Sequence, residues 1–270
     1  SGYLPSQTIT ITGGGGNGIG HNLVLELAKR GADVAFCDIT GLESTQKSLA
    51  AFDVSSFSAN VDMADREAIA QFISEVVAKF GRIDAVFNNA GIALGDRLFS
   101  EVQEKDFDRI TNINYWGVIY TTLQCYPHLL KSPDGAIVNI SSTQGIMPLP
   151  NLVPYCTTKF AVRGFTDSLR TEHKIRGIKN ISVHTVHPGA VATNITMNSD
   201  YINESSKVFH ADLQNNGVTP QRAAEVICNG VIKDKGRIFI SNGWMHELIM
   251  RLIPAHSYLA VKLMMKIKGF

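Results

Sequence analysis

Tyr155 and Lys159 stand four residues apart, and Ser142 lies thirteen residues before the tyrosine. On a helix, positions i and i+4 share a face, so an ammonium can sit beside a phenol and favour its ionised form. Such a pair can move a proton. A free phenol, with a pKa of ~10, is a poor base at neutral pH and needs a positive neighbour to become a useful one. A second concentration of chemistry follows Thr12, where glycine occupies positions 13 to 16, 18 and 20. Glycines between a strand and a helix let the backbone approach a pyrophosphate, while the helix N-terminus offers free N–H groups and a positive dipole end. The run fits G-x-G-x-x-G at Gly13, Gly15 and Gly18, and equally G-x-x-x-G-x-G at Gly14, Gly18 and Gly20. The glycines alone therefore do not choose between a nucleotide cradle and a flexible loop.

The elements that must position these residues follow an alternation of strand and helix patterns, which predicts an α/β fold: a doubly wound parallel sheet with helices on both faces. Strands are expected at residues 7–12, 32–37, 57–61, 84–88, 136–140, 181–186 and 237–240. Helices are expected at 20–30, 64–80, 104–130 and 154–176, the second with Ala68, Phe72, Ile73, Val76 and Phe80 on one stripe. Asp38 ends the second strand, 18 residues after Gly20, where a carboxylate can accept hydrogen bonds from both ribose hydroxyls of an adenosine. A 2′-phosphate there would meet a like charge with no Lys or Arg beside it, so the pattern favours NAD over NADP. The alternative for Asp38 is a helix N-cap.

Composition narrows the rest. A chain of 270 residues, 44% of them hydrophobic, can bury a sizeable core, and one domain is expected over 1–243, followed by an apolar extension at 244–270. With 25 Lys and Arg against 24 Asp and Glu, the net charge of +1 makes nucleic acid an unsuitable partner. The four cysteines are widely separated and no Cys/His cluster has metal-ligand spacing, so reduced thiols and no metal are expected. No signal-peptide pattern opens the sequence, which predicts a cytoplasmic protein. The sequon at Asn139 lies in an expected buried strand and, like those at Asn180, Asn194 and Asn203, reads as chance.

Taken together, the residues resemble the short-chain dehydrogenase/reductase family over nearly the whole chain, from Thr10 to about Asn242. The resemblance rests on Gly14 to Gly20, Asp38, Asp62-Met63, Asn88-Asn89-Ala90-Gly91, Asn114 with Gly117, Ile140-Ser141-Ser142, Tyr155-x-x-x-Lys159, and Pro188-Gly189 with Thr193. It implies a single-domain Rossmann fold with about seven strands. It also implies that Gly14, Asn17, Gly18, Ile19 and Gly20 cradle phosphate, that Asp62 and Met63 flank the adenine, and that Asn89, Ala90 and Gly91 line the cofactor. Pro188 and Gly189 would join that wall, and Val191 and Thr193 would hold the nicotinamide carboxamide. Tyr155 would be the general acid/base, its pKa lowered by Lys159 and the nicotinamide. Ser142 would hold the substrate oxygen, and Asn114 would hold a water linking Lys159 to solvent. The helices at 104–130 and 154–176 would pair between subunits in a homodimer or homotetramer. His187 is expected to be structural. One departure stands out: the family pattern has Thr-Gly, three residues, then Gly-x-Gly, whereas four residues separate Thr12-Gly13 from Gly18. Either the loop carries an extra residue or Gly13 takes the threonine position.

The substrate pocket is expected to draw on Leu94, Gln144, Ile146, Met147 and Leu149, with a polar flap at 194–216. Mostly apolar, it suits a hydrophobic secondary alcohol or ketone better than a charged acid. The competing function is a sensor or scaffold that binds NAD(H) without turnover. A third reading is a membrane-surface enzyme for lipid-like substrates, suggested by the extension at 244–270, where Arg251, Lys262, Lys266 and Lys268 accompany many apolar residues. Packing on the body or on a second subunit is preferred for that segment, and its charges argue against a spanning helix.

Overall fold

In the computed structural model, which describes residues 6–16 and 18–268, seven strands form one all-parallel sheet in the order β3-β2-β1-β4-β5-β6-β7. They are β1 (Thr8–Thr12), β2 (Asp33–Asp38), β3 (Ser56–Asn60), β4 (Ala85–Asn88), β5 (Gly135–Ile140), β6 (Ile181–Pro188) and β7 (Arg237–Ile240). Each is found within two residues of its expected place. The main helices are α1 (Ile19–Lys29), α2 (Leu42–Leu49), α3 (Arg66–Phe80), α4 (Glu104–Thr111), α5 (Gly117–Leu129), α6 (Val153–Arg176), α7 (Glu204–Asn216), α8 (Pro220–Ile232), α9 (Gly243–Leu252) and α10 (Ser257–Lys268).

Successive strand side chains point to opposite faces, and β2 shows how this builds two core layers. Val34 and Phe36 pack with Leu23 and Leu27 of α1 and Ile227 and Val231 of α8. Ala35 and Cys37 pack on the other side with Phe72 and Val76 of α3 and Cys125 and Leu129 of α5. On α3 the buried stripe is Ile69, Phe72, Ile73 and Val76, with Ala68 and Phe80 half-buried at its margins. Asp65 caps this helix by accepting from the N–H groups of Glu67 and Ala68, and Gly81, at φ +72°, ends it.

Several elements differ from the sequence reading. The helix expected over 104–130 is broken by a π-helical turn, Asn112–Trp116, that separates α4 from α5. The expected flap at 194–216 is half helix: Asn203 caps α7 by accepting from Ser206 N at 2.8 Å. Helices α2 and α8 also form, the latter started by Thr219 as N-cap and Pro220 in its first turn. A chain of buried amides and hydroxyls crosses the sheet centre: Asn88 Nδ2 donates to Thr122 Oγ1 (3.0 Å) and Asn139 Oδ1 (2.8 Å), and Asn139 Nδ2 donates to Thr166 Oγ1 (2.9 Å). Asn139 is fully buried, so its sequon cannot carry a glycan in the folded chain.

Candidate active site

In an open parallel sheet, the crevice forms where the chain reverses direction across the sheet, at the carboxyl ends of the strands. Here that point lies between β1 and β4. The glycine loop follows β1, and Asn89-Ala90-Gly91 follows β4. Thr12 ties the two together, its Oγ1 accepting from the N–H groups of Asn89 and Ala90, each at 3.1 Å. Asn89 returns the contact by donating from Nδ2 to Gly13 O at 3.0 Å. Thr12 thus occupies the strand-end threonine position, and the extra residue lies inside the loop.

The added length folds onto the turn after β2. Gly15 N donates to Asp38 Oδ2 (3.0 Å), and Gly16 N donates to Gly41 O (3.2 Å). The approach is so close that a Cβ on Gly15 would stand 2.0 Å from Thr40 O, and one on Gly41, at φ +73°, would stand 2.2 Å from Gly16 N. Asp38 Oδ1 also accepts from Ile39 N at 2.7 Å, so the carboxylate expected to meet a ribose is already held by main-chain donors. Helix α1 starts behind Gly18 with no side-chain cap and no acid in its first turn, which leaves its N–H groups for an anion. A Cβ at Gly18 would meet nothing within 4 Å, so open space lies in front of that helix end. An uncapped helix end behind a tight glycine cradle fits a dinucleotide. Asn17 lies outside the described residues.

Asp62 is exposed and turns back to accept from Ala64 N (2.9 Å), while Met63 is buried against Cys37. Ile39, 59% exposed directly after Asp38, is a candidate for the adenine wall that sequence reading did not single out. Across the crevice, Gly189 N donates to Ile240 O (3.2 Å) after the buried Pro188, and Val191 is buried where it bridges Val218. Thr193 is half-buried and its carbonyl accepts from Gln214 of α7.

The four residues expected to act on substrate converge at the ends of β4 and β5. Helix α6 presents Tyr155 and Lys159 on one face, the Lys159 Nζ 5.6 Å from the Tyr155 ring centroid. Ser142, just past β5, favours the ionised form of the Tyr155 phenol and donates to Gln144 Oε1 at 2.5 Å. Lys159 Nζ donates to Ile140 O at 3.1 Å. Asn114, fully buried in the π-helical turn, closes a two-point pair with Ile92, accepting at 2.8 Å and donating at 2.9 Å. A Cβ on Gly91 would stand 3.3 Å from both Asn114 Oδ1 and Lys159 Nζ, so these two groups face the same small space.

The electrostatics add the effect of burial. Lys159 does not pull the phenol down by itself: burial pushes Tyr155 up to about 12, and the Ser142 hydroxyl only partly offsets this. Burial also lowers Lys159 to about 8, because its charged form is taken out of water with only neutral carbonyl partners at hand. His187, expected to be structural, packs against Ser142. It is buried, stacked on Phe239, bonded through Nδ1 to Ser142 O at 3.0 Å, and pushed down to about 4 by desolvation.

Leu94, Ile146 and Met147 are buried, and Gln144 and Leu149 are half-buried. They are covered in part because the flap is bolted down. Tyr201 N donates to Leu94 O (2.9 Å), its hydroxyl donates to Asp106 Oδ2 (3.1 Å), and Arg97 stacks on its ring 3.6 Å from the centroid. A Cβ on Gly95, at φ +102°, would stand 1.8 Å from Tyr201 O. None of this was visible in the sequence, since the partners lie about a hundred positions apart and share no motif.

Comparison with known proteins agrees with the geometry. Residues 7–202 match the family profile described as short chain dehydrogenase. SadH of Mycobacterium tuberculosis is 35% identical over 237 residues, which cover 86% of this chain and 85% of its own. The 3-oxoacyl-(acyl-carrier-protein) reductase FabG of Staphylococcus aureus is 33% identical over 186 residues, covering 68% of this chain and 74% of its own. Among solved structures, a short-chain dehydrogenase/reductase from Burkholderia phymatum in complex with NAD has a TM-score of 0.82 at 19% identity, covering 95% of this chain and 93% of that one.

Proposed function

Because this chain belongs to the short-chain dehydrogenase family of oxidoreductases, we propose that it transfers hydride between NAD and a hydrophobic secondary alcohol or ketone, with Tyr155 as general acid/base. The observation that carries this reading is the convergence of the buried Ser142 and Lys159 with the half-buried Tyr155 beside an apolar wall. A nicotinamide bound at the crevice supplies the hydride acceptor or donor. The chain's own residues handle the oxygen and its proton. Tyr155, held protonated by burial, donates to a ketone oxygen, or takes the proton of an alcohol in the reverse direction. Ser142 Oγ steadies the oxygen whose charge changes. Lys159, with Asn114 facing it across Gly91, restores the tyrosine's proton.

The substrate class is supported by the apolar character of Leu94, Ile146, Met147 and Leu149. Arg97, on the loop after Leu94, is ion-paired with Asp106 and stacked on Tyr201. The test is NADH formation from NAD across a panel of hydrophobic secondary alcohols, with the matching ketones in reverse. The expected result is turnover of several members. If NADH binds and none reacts in either direction, the reading fails.

Asp38 supports NAD over NADP through like-charge repulsion of a 2′-phosphate. Asp38→Ala removes that repulsion and also releases the Gly15 and Ile39 amides. Both cofactors should bind more weakly, NADH more so, moving the NADH/NADPH selectivity about tenfold toward NADPH, or ~1.4 kcal/mol. Tighter NADPH than NADH binding by the unaltered protein would refute the preference. Pairing of α5 and α6 between two copies is supported by the exposed Trp116, Leu123, Leu130 and Ile175 on and beside these helices. A monomeric mass in solution would exclude it.

A further inference from the structure

We propose that the α9–α10 hairpin is a docking surface for an anionic phospholipid bilayer. After β7 the chain turns at Gly243 into α9, reverses through Pro254, and returns as α10. One side of this hairpin is fixed to the body. Glu247 binds Arg237 at 2.6 Å and also pairs with Arg163 and Arg251, while Gly243 and Val261 are buried. That anchoring determines which side faces out.

The outward side is apolar. On α9, Trp244, Leu248 and Leu252 recur every four residues with Met245 beside them, and all four are exposed, Leu252 by 71%. On α10, Tyr258, Leu259 and Leu263 are exposed by 51 to 61%. Their charged neighbours have one sign: Arg251, Lys262 and Lys266 are exposed among them. Glu247, the one acid between Trp244 and Lys268, is already committed to arginines.

This combination selects the occupant. An isologous contact with a second copy would bring two sets of Arg251, Lys262 and Lys266 into one interface with no acid of the hairpin free to compensate. A bilayer interface takes the leucines and Trp244 at the acyl boundary and lets lysine and arginine stems reach up to anionic phosphates. No helix among the described residues is long and apolar enough to cross a membrane, so the contact is interfacial.

The test is co-sedimentation of the full chain with vesicles of phosphatidylcholine containing about 30% phosphatidylglycerol, beside vesicles of phosphatidylcholine alone. The expected result is binding to the anionic vesicles at least about tenfold tighter than to the neutral ones, loosened by salt. Leu248→Glu with Leu252→Glu should abolish it. Lys262→Glu with Lys266→Glu should also weaken it at least about tenfold, and these exposed positions leave the fold intact, as circular dichroism would check. Absence of pelleting with anionic vesicles overturns the proposal, as does equal binding by the leucine variant. A solution mass that falls in the leucine variant, without vesicle binding by the parent protein, assigns the face to a second copy instead.

Discussion

Tyr155→Phe is expected to lower turnover about 10³-fold while NADH binds as tightly as before. The phenol oxygen is the one group removed. The ring keeps its place beside Lys159, and Ser142 keeps its bond to Gln144, so the cavity and the fold persist. Single-turnover kinetics with a reactive ketone, together with NADH titration by fluorescence, separate the two effects. The pH dependence is fixed by the direction of the shift. With the phenol pushed up to about 12, the acid form needed for ketone reduction persists through the neutral range, and reduction should be nearly independent of pH there. Alcohol oxidation needs the ionised form, so its rate should rise into alkaline buffer, and Tyr155→Phe should erase that rise. Retained turnover in the variant would remove Tyr155 from the mechanism and bring the non-catalytic nucleotide-binding reading forward.

Gly20→Ala is expected to disable the nucleotide cradle. The added methyl would sit 1.8 Å from Gly13 O and 2.4 Å from Asn89 Nδ2, both parts of the bridge between the ends of β1 and β4. Neither can yield without breaking the Asn89 to Gly13 bond or tilting α1. Overpacking of this kind costs about 1–3 kcal/mol, and the displaced loop should weaken NADH binding at least about tenfold. Gly18→Ala is the control for stability: its methyl meets nothing within 4 Å, so the melting temperature should hold. A Gly20→Ala protein that melts and binds NADH like the parent would show that the loop is not the rigid cradle described.

The contrast between what the sequence disclosed and what it concealed follows from how each feature is encoded. Strand β7 was readable to the residue because a short apolar run between turn residues is a local signal. The convergence of Tyr155, Lys159 and Ser142 was readable because their residue types and order are tied to a chemistry, and Asn114 entered only through the family resemblance. Helix α2 was not: Leu42, Thr45 and Leu49 are its few inward residues, and its composition is that of a loop. Helix α8 did carry a local signal, Thr219-Pro220, that the strand-led reading passed over. The bolt of Arg97, Asp106 and Tyr201 depends on the closure of one loop onto another, which no local pattern records. The raised Tyr155 pKa was missed for a related reason. Residue spacing shows the helpful lysine, but desolvation is a property of everything packed around the phenol.

The π-helical turn Asn112–Trp116 has a consequence for the lengths this chain can tolerate. A π turn holds more residues than an α turn of the same kind, so the segment stores an insertion without lengthening the path from β4 to β5. Removing one residue there would return the segment to a plain α turn and leave α5 in register, while the Asn114 side chain would be carried off its two-point pair with Ile92. The extra residue in this turn therefore serves the placement of Asn114, the one buried side chain within Asn112–Trp116.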